Sequence, residues 1–184
     1  MYRTTVRTRR SEMSKFWENF FKFREKQKNE REAILLKIPV FQQLTPRELK
    51  TIRCILHQRE YRQAEVIFAE GDIGLGMYII EKGIVQIACK NEHHILAELV
   101  EGDFFGELAL LDDAPRSASA VAKTAAALLC FFKPELLDLI ERNPKLGSKI
   151  LFRLAWTIGE RLKSTNEQVK ELMYVAQQRT GVTE

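Results

Sequence analysis

The sequence lacks any apolar run long enough to cross a bilayer. Its longest, Ala125 to Phe132, is less than half of the ~20 residues that a spanning helix needs. Cysteine and histidine are scarce as well. Cys54, Cys89 and Cys130 are odd in number and far apart, with no CxxC, so neither a disulfide framework nor a zinc or iron–sulfur site is indicated. They read as small core hydrophobes. The three histidines are His57, His93 and His94, and the adjacent pair would face opposite sides of a strand. Metal-assisted hydrolysis asks for clustered His and Asp ligands, so catalysis of that kind is not expected. The basic start, MYRTTVRTRR, runs into charged and aromatic residues and not into the continuous apolar segment of a secretory signal, which leaves the cytoplasm as the expected compartment.

What is present suits one ordinary domain with appendages. The chain has 184 residues, 45% hydrophobic and 29% charged, enough to bury a sizeable core. Its net charge of +4 is unevenly placed: residues 1–32 hold 10 Lys and Arg against 5 Glu, and the remainder holds 19 basic against 20 acidic residues. Within that arm Met13, Phe16, Trp17, Phe20 and Phe21 fall on one face of an amphipathic helix that Ser11 could cap. The favoured expectation is that this face packs on the main domain or on a dimer mate. Docking to a membrane surface or to another partner is the second reading.

Thr45, Pro46 and Glu48 combine an N-cap, a first-turn proline and a capping-box glutamate, which predicts a short helix ending near Leu56. From Glu60 to Phe132 short stretches rich in Val, Ile, Phe and Tyr are punctuated by Gly71, Gly74, Gly76, Gly83, Gly102 and Gly106. That pattern predicts an antiparallel sandwich or barrel. Pro134 then opens a short helix through Ile140, and Asn143 with Pro144 starts a final helix expected to reach Gln178, with Gly181 beyond it. Along it Leu151, Ala155, Ile158, Leu162, Thr165, Val169, Leu172 and Ala176 alternate steps of four and three, the seam of a coiled coil. The first turns should bury against their own domain and the distal half should self-associate.

The segment Phe104 to Ala120, FFGELALLDDAPRSASA, carries the chemistry. Gly106 allows the backbone to approach a ligand, and a single turn from Glu107 would aim the amides of Leu108 and Ala109 at an anion. Arg116 supplies a permanent cation whose fork matches phosphate oxygens, and Ser117 adds a hydroxyl. Glu107 would be repelled by the phosphate but can accept from a sugar hydroxyl beside it. Together these residues suit a small phosphate ester.

Phe105 to Ala120 resembles the phosphate-binding cassette of the cyclic nucleotide-binding domain, shared by the catabolite activator family, the regulatory subunits of cyclic-nucleotide-dependent kinases and cyclic-nucleotide-gated channels. IPVFQQLTPREL (Ile38 to Leu49), EGDIGLGMYIIEKGIVQI (Glu70 to Ile87) and the pair Asn143, Pro144 extend the resemblance over roughly Ile38 to Leu172. It implies a mainly β fold, a jelly-roll barrel with N-terminal helices and a long C-terminal dimerisation helix. The expected organisation is a basic helical arm over 1–37, the ligand-binding domain over 38–142 and a long coiled-coil helix over 143–184. By the same resemblance Glu107 would bind the ribose hydroxyl. Arg116 and Ser117, with the Leu108 and Ala109 amides, would hold the cyclic phosphate. ERLKSTNEQVKEL, Glu160 to Leu172, resembles the dimerisation helix of the bacterial catabolite activator, in which a Thr-Ser pair caps the adenine. Here the pair is Thr165 and Asn166, which keeps hydrogen-bonding capacity.

The function expected is a non-enzymatic receptor, for cAMP ahead of cGMP, that acts through its terminal helices as a homodimer on an effector protein of unknown identity. After Glu184 no helix-turn-helix is expected, and so no DNA-binding domain. The alternatives are a phosphodiesterase, which the scattered histidines oppose, a member whose ligand has changed to haem, an iron–sulfur cluster or an organic acid, and a dimerisation module with a vestigial pocket.

Overall fold

The computed structural model describes residues 17–22, 26, 29–89 and 95–180. Ser11, Met13, Phe16, His93, His94 and Gly181, singled out above, lie outside them. A helix over residues 29–37 (α1) leads into α2 (Pro46–Ile55), followed by eight strands: β1 (His57–Tyr61), β2 (Val66–Phe68), β3 (Gly76–Lys82), β4 (Val85–Ala88), β5 (Ile95–Leu99), β6 (Phe104–Phe105), β7 (Ser119–Ala122) and β8 (Ala126–Phe132). Two helices follow, α3 (Lys133–Arg142) and α4 (Pro144–Thr180). The strands form two antiparallel sheets ordered β1-β8-β3-β6 and β2-β7-β4-β5, the expected jelly-roll arrangement with flanking helices.

The strands β3 and β8 explain why their sequences are apolar throughout and not alternating. They pair in the middle of the first sheet, so both of its faces are covered there. Met77, Ile79, Leu129 and Phe131 join a core built with the helical residues Leu35, Phe41, Ile52, Leu136, Leu146 and Ile150. Tyr78, Ile80, Leu128 and Cys130 point the other way, into the space between the sheets, with Val85, Phe105, Ala120 and Ala122. A one-residue slip of either strand would exchange its contributions to the two cores, so the register is tightly specified.

Helix α2 starts as the sequence predicts. Glu48 N–H donates to Thr45 Oγ1 at 3.3 Å and Thr45 N–H to Glu48 Oε2 at 2.7 Å, a complete capping box. Lys149 of α4 donates to the same carboxylate at 2.9 Å, tying the last helix to the first turn of α2. At the α3–α4 corner Asn143 Oδ1 accepts from Leu146 N–H at 3.2 Å. Gly147 is needed there because a Cβ would stand 2.7 Å from Ile140 Cα.

Two expectations change. Of the three cysteines Cys130 alone is buried, whereas Cys54 is exposed because α2 buries just Leu49 and Ile52. In the arm it is α1 that docks: Ile34 and Leu35 are buried, Arg31 pairs with Glu81 at 2.5 Å and Glu32 with Arg53 at 3.3 Å. Trp17, Phe20 and Phe21 are exposed in the single chain, which leaves the dimer mate of the expectation untouched, and their rings contact one another at centroid distances of 5.9 to 6.1 Å.

Helix α4 divides as its sequence suggests. Leu146, Ile150 and Leu154 are fully covered, while every described side chain from Glu160 to residue 178 is exposed. The exposed set includes the seam residues Leu162, Val169 and Leu172.

The hydrogen bonds from Lys149 and from the Thr45 backbone hold the Glu48 carboxyl down at about 2, against 4.5 for the free side chain. A depressed folded-state pKa contributes stability above the unfolded value and loses it as the pH falls through the folded one. Glu48→Gln should therefore lower stability by about 1 kcal/mol at neutral pH, the scale of a cap plus an accessible ion pair. Denaturant titrations should show that difference shrinking between pH 4.5 and about 2. A constant difference across that window would assign the effect to packing.

Candidate functional site

The site is built around a sharp reversal after β6. Gly106 adopts a left-handed conformation with φ of 73°, and Glu107 to Leu110 then form a single 3-10 turn. The chain returns along the loop between β2 and β3, where Arg116 N–H donates to Asp72 O at 2.8 Å and Gly71 N–H to Arg116 O at 2.9 Å. These bonds fix the backbone of Arg116 and turn its side chain inward. Its Nη1 donates to Gly106 O at 3.0 Å and its Nη2 to Gly76 O at 2.7 Å. The guanidinium lies 4.1 Å from the centroid of the Phe68 ring, while Nε is buried with no hydrogen-bond partner. Burial pulls the Arg116 pKa below its usual value, yet arginine stays charged at any ordinary pH. Gly106 is required twice, by its φ and because a Cβ would lie 2.6 Å from Arg116 Nη1.

Glu107 is buried and meets a partner from α4. Arg161 Nη1 donates to Glu107 Oε1 at 2.6 Å and Nη2 to Phe104 O at 3.0 Å, with the guanidinium 4.2 Å from the Phe104 ring centroid. Beside these groups lies a cavity of about 580 Å³. Phe68, Ile87, Ala97 and Leu99 give it apolar walls, the 106–109 turn and the 114–118 segment line one end, and Arg161, Ser164, Thr165 and Gln168 line it from α4. Apolar walls with a few convergent polar groups are the usual form of a small-molecule site. Two arginines, with Glu107 and Asp112 as the carboxylates, suit an anion that also carries hydroxyls.

Of the residues singled out from the sequence, Gly106, Glu107, Leu108, Ala109, Arg116, Ser117 and Thr165 all line this cavity. Asn166 does not, because one further residue turns it about 100° around the helix from Thr165. The Ala109 amide is already engaged, donating to Gly106 O at 3.3 Å. Thr165 is exposed in the single chain and its hydroxyl donates to Arg161 O at 2.9 Å. Arg161, Ser164 and Gln168 were missed. They stand at i−4, i−1 and i+3 from Thr165, so helical spacing could have proposed them, but nothing local marks Arg161 as the partner of a carboxylate 54 positions away. Among the described residues no group of three or more His, Cys, Asp and Glu could hold a metal ion.

A family model described as the cyclic nucleotide-binding domain matches residues 58–143. The cyclic AMP receptor protein of Thermus thermophilus is 35% identical over 125 residues, 66% of this chain and 58% of that protein. The cAMP-dependent protein kinase regulatory subunit of Colletotrichum orbiculare is 41% identical over 93 residues, 50% of this chain and 24% of that one. The match thus spans less than two thirds of either relative. Among solved structures, a cyclic nucleotide-binding domain from Methylobacillus flagellatus superposes with a TM-score of 0.69 at 26% identity, covering 78% of this chain and 84% of the other. This chain therefore carries a cyclic nucleotide-binding domain, homologous to the catabolite activator proteins.

Proposed function

We propose that the protein is a non-enzymatic cAMP receptor that passes ligand binding to its terminal helices. The observation that carries this reading is that Arg116 and Glu107 both line the cavity at the Gly106 turn, at one end of largely apolar walls. Arg116 supplies a desolvated positive charge for the cyclic phosphate, with the Ser117 hydroxyl beside it. Glu107 accepts from the ribose hydroxyl, and the turn from Gly106 to Ala109 flanks the phosphate. The apolar walls take the base. Two relatives bear cAMP in their names, which favours the adenine nucleotide over cGMP.

Thr165 supports the same choice. Its hydroxyl donates to Arg161 O and keeps lone pairs that suit the exocyclic amine of adenine. The output runs through α4. Arg161 grips the ribose-binding carboxylate at one side, and the same helix carries the exposed seam through which two copies would join before acting on an effector protein.

Calorimetry should show saturable cAMP binding. Arg116→Ala should weaken it at least about tenfold, the loss of one charge-assisted contact. Arg116→Lys, which keeps the charge but not the fork, should fall in between. Unchanged affinity in Arg116→Ala would place the ligand elsewhere. Light scattering should find the parent dimeric and a chain carrying Leu162→Asp with Val169→Asp monomeric. A dimer that survives both substitutions would remove α4 from the interface.

A further inference from the structure

We infer that the helical segment carrying Trp17, Phe20 and Phe21 is a docking surface for an anionic lipid bilayer, whatever the cavity holds. All three rings are exposed in the single chain, at 49%, 39% and 61%. The arm is held to the domain further on, at α1, where Ile34 and Leu35 enter the helical core, Arg31 pairs with Glu81 and Glu32 with Arg53. At about 100° per residue, Glu18 and Lys22 lie roughly 100° and 140° around the helix from Trp17, so charge and rings occupy different faces. Among the described residues no helix is long and apolar enough to cross a membrane. A short helix with cations on one face and Trp and Phe on the other lies in the headgroup plane, its rings about 5–10 Å deep.

Charge selects the occupant. Residues 1–28 hold nine Lys and Arg against three Glu, whereas residues 33–184 hold 19 basic against 20 acidic residues. Between them, Arg31 and Glu32 are spent on opposite charges of the domain. The positive excess therefore belongs to the segment that carries the rings, and the rest of the chain is close to neutral. An anionic leaflet attracts such a segment over about a Debye length, and the rings then anchor it. Tryptophan suits the headgroup level because its indole is apolar yet keeps an N–H to donate. A second copy is the poorer occupant, since it would set two cationic arms against each other. A nucleic acid would meet the charge, but Phe20 stands edge-on to both Trp17 and Phe21, which makes an apolar cluster and not a platform of parallel rings for stacking bases.

The test floats the full chain with vesicles of phosphatidylcholine alone and of phosphatidylcholine containing about one fifth phosphatidylserine, at low and at high salt. The parent should float with the anionic vesicles at low salt, and high salt or the neutral lipid should release it. Lys22→Gln with Lys26→Gln should weaken binding on the order of tenfold, and so should Trp17→Ser with Phe21→Ser. All four side chains are exposed and precede the buried residues of α1, so thermal melts should not move. For depth, Trp156→Phe leaves Trp17 as the single tryptophan, and lipids brominated in the acyl chain should quench its fluorescence. A parent that does not float, one that floats with Trp17 unquenched, or a ring variant that floats as well as the parent would overturn the inference. It would also fall if the ring substitutions turned a dimer into a monomer without changing flotation, which would give the face to a second copy, or if the parent retained oligouridine RNA and not vesicles. None of these readouts involves cAMP, so the receptor reading is tested separately.

Discussion

A single guanidinium, that of Arg116, holds the site together. Burying a cation away from carboxylates costs several kcal/mol unless its donors are satisfied. Here two of them are met by main-chain carbonyls, Gly106 O on the cassette turn and Gly76 O at the start of β3, and the face of the group rests on Phe68. The arrangement stitches the turn to the sheet and leaves a positive charge that no carboxylate directly cancels, next to a cavity with apolar walls. In such surroundings its attraction for an anion is far less screened than it would be at the surface. The absence of a side chain at Gly106 is what allows that approach.

Around this stitch, β3 and β8 serve two cores at once. One face of the pair closes the barrel beside the cavity, and the other is the floor on which α1, α2, α3 and α4 pack. Close-packed interiors transmit displacement because they hold few voids to absorb it. The cassette is linked to the helices a second time at Lys133, whose Nζ donates to Asp112 O at 3.1 Å and to Asp113 Oδ1 at 2.8 Å from the first residue of α3. A third link is the Arg161–Glu107 pair, which joins α4 directly to the turn that follows Gly106.

Helix α4 therefore has three consecutive roles along its length. Leu146, Ile150 and Leu154 anchor it in the helical core, Arg161 to Gln168 cover the cavity, and the remaining turns project with an exposed apolar stripe. The polar residues of the middle section are placed by the two neighbours: the buried turns decide where the helix runs, and the Arg161 pair decides which side faces the cavity.

Much of this was legible in the chain itself, because the signals are local. The Thr45–Glu48 box, the glycine punctuation of the strands and the Asn143–Pro144 start each depend on residues within a few positions of one another, and all mark real elements. The cassette was legible for the same reason: Gly106, Glu107, Arg116 and Ser117 lie within one short segment, and their chemistry is fixed by residue type. What the sequence could not decide were relations between distant parts. It could not say that Arg116 would spend two donors on carbonyls, one of them 40 positions away, or that Arg161 would meet Glu107. Nor could it choose between Asn166 and Gln168, since both are amides on the same helix. Their separation follows from the azimuth of α4, which only its packing against the folded domain determines.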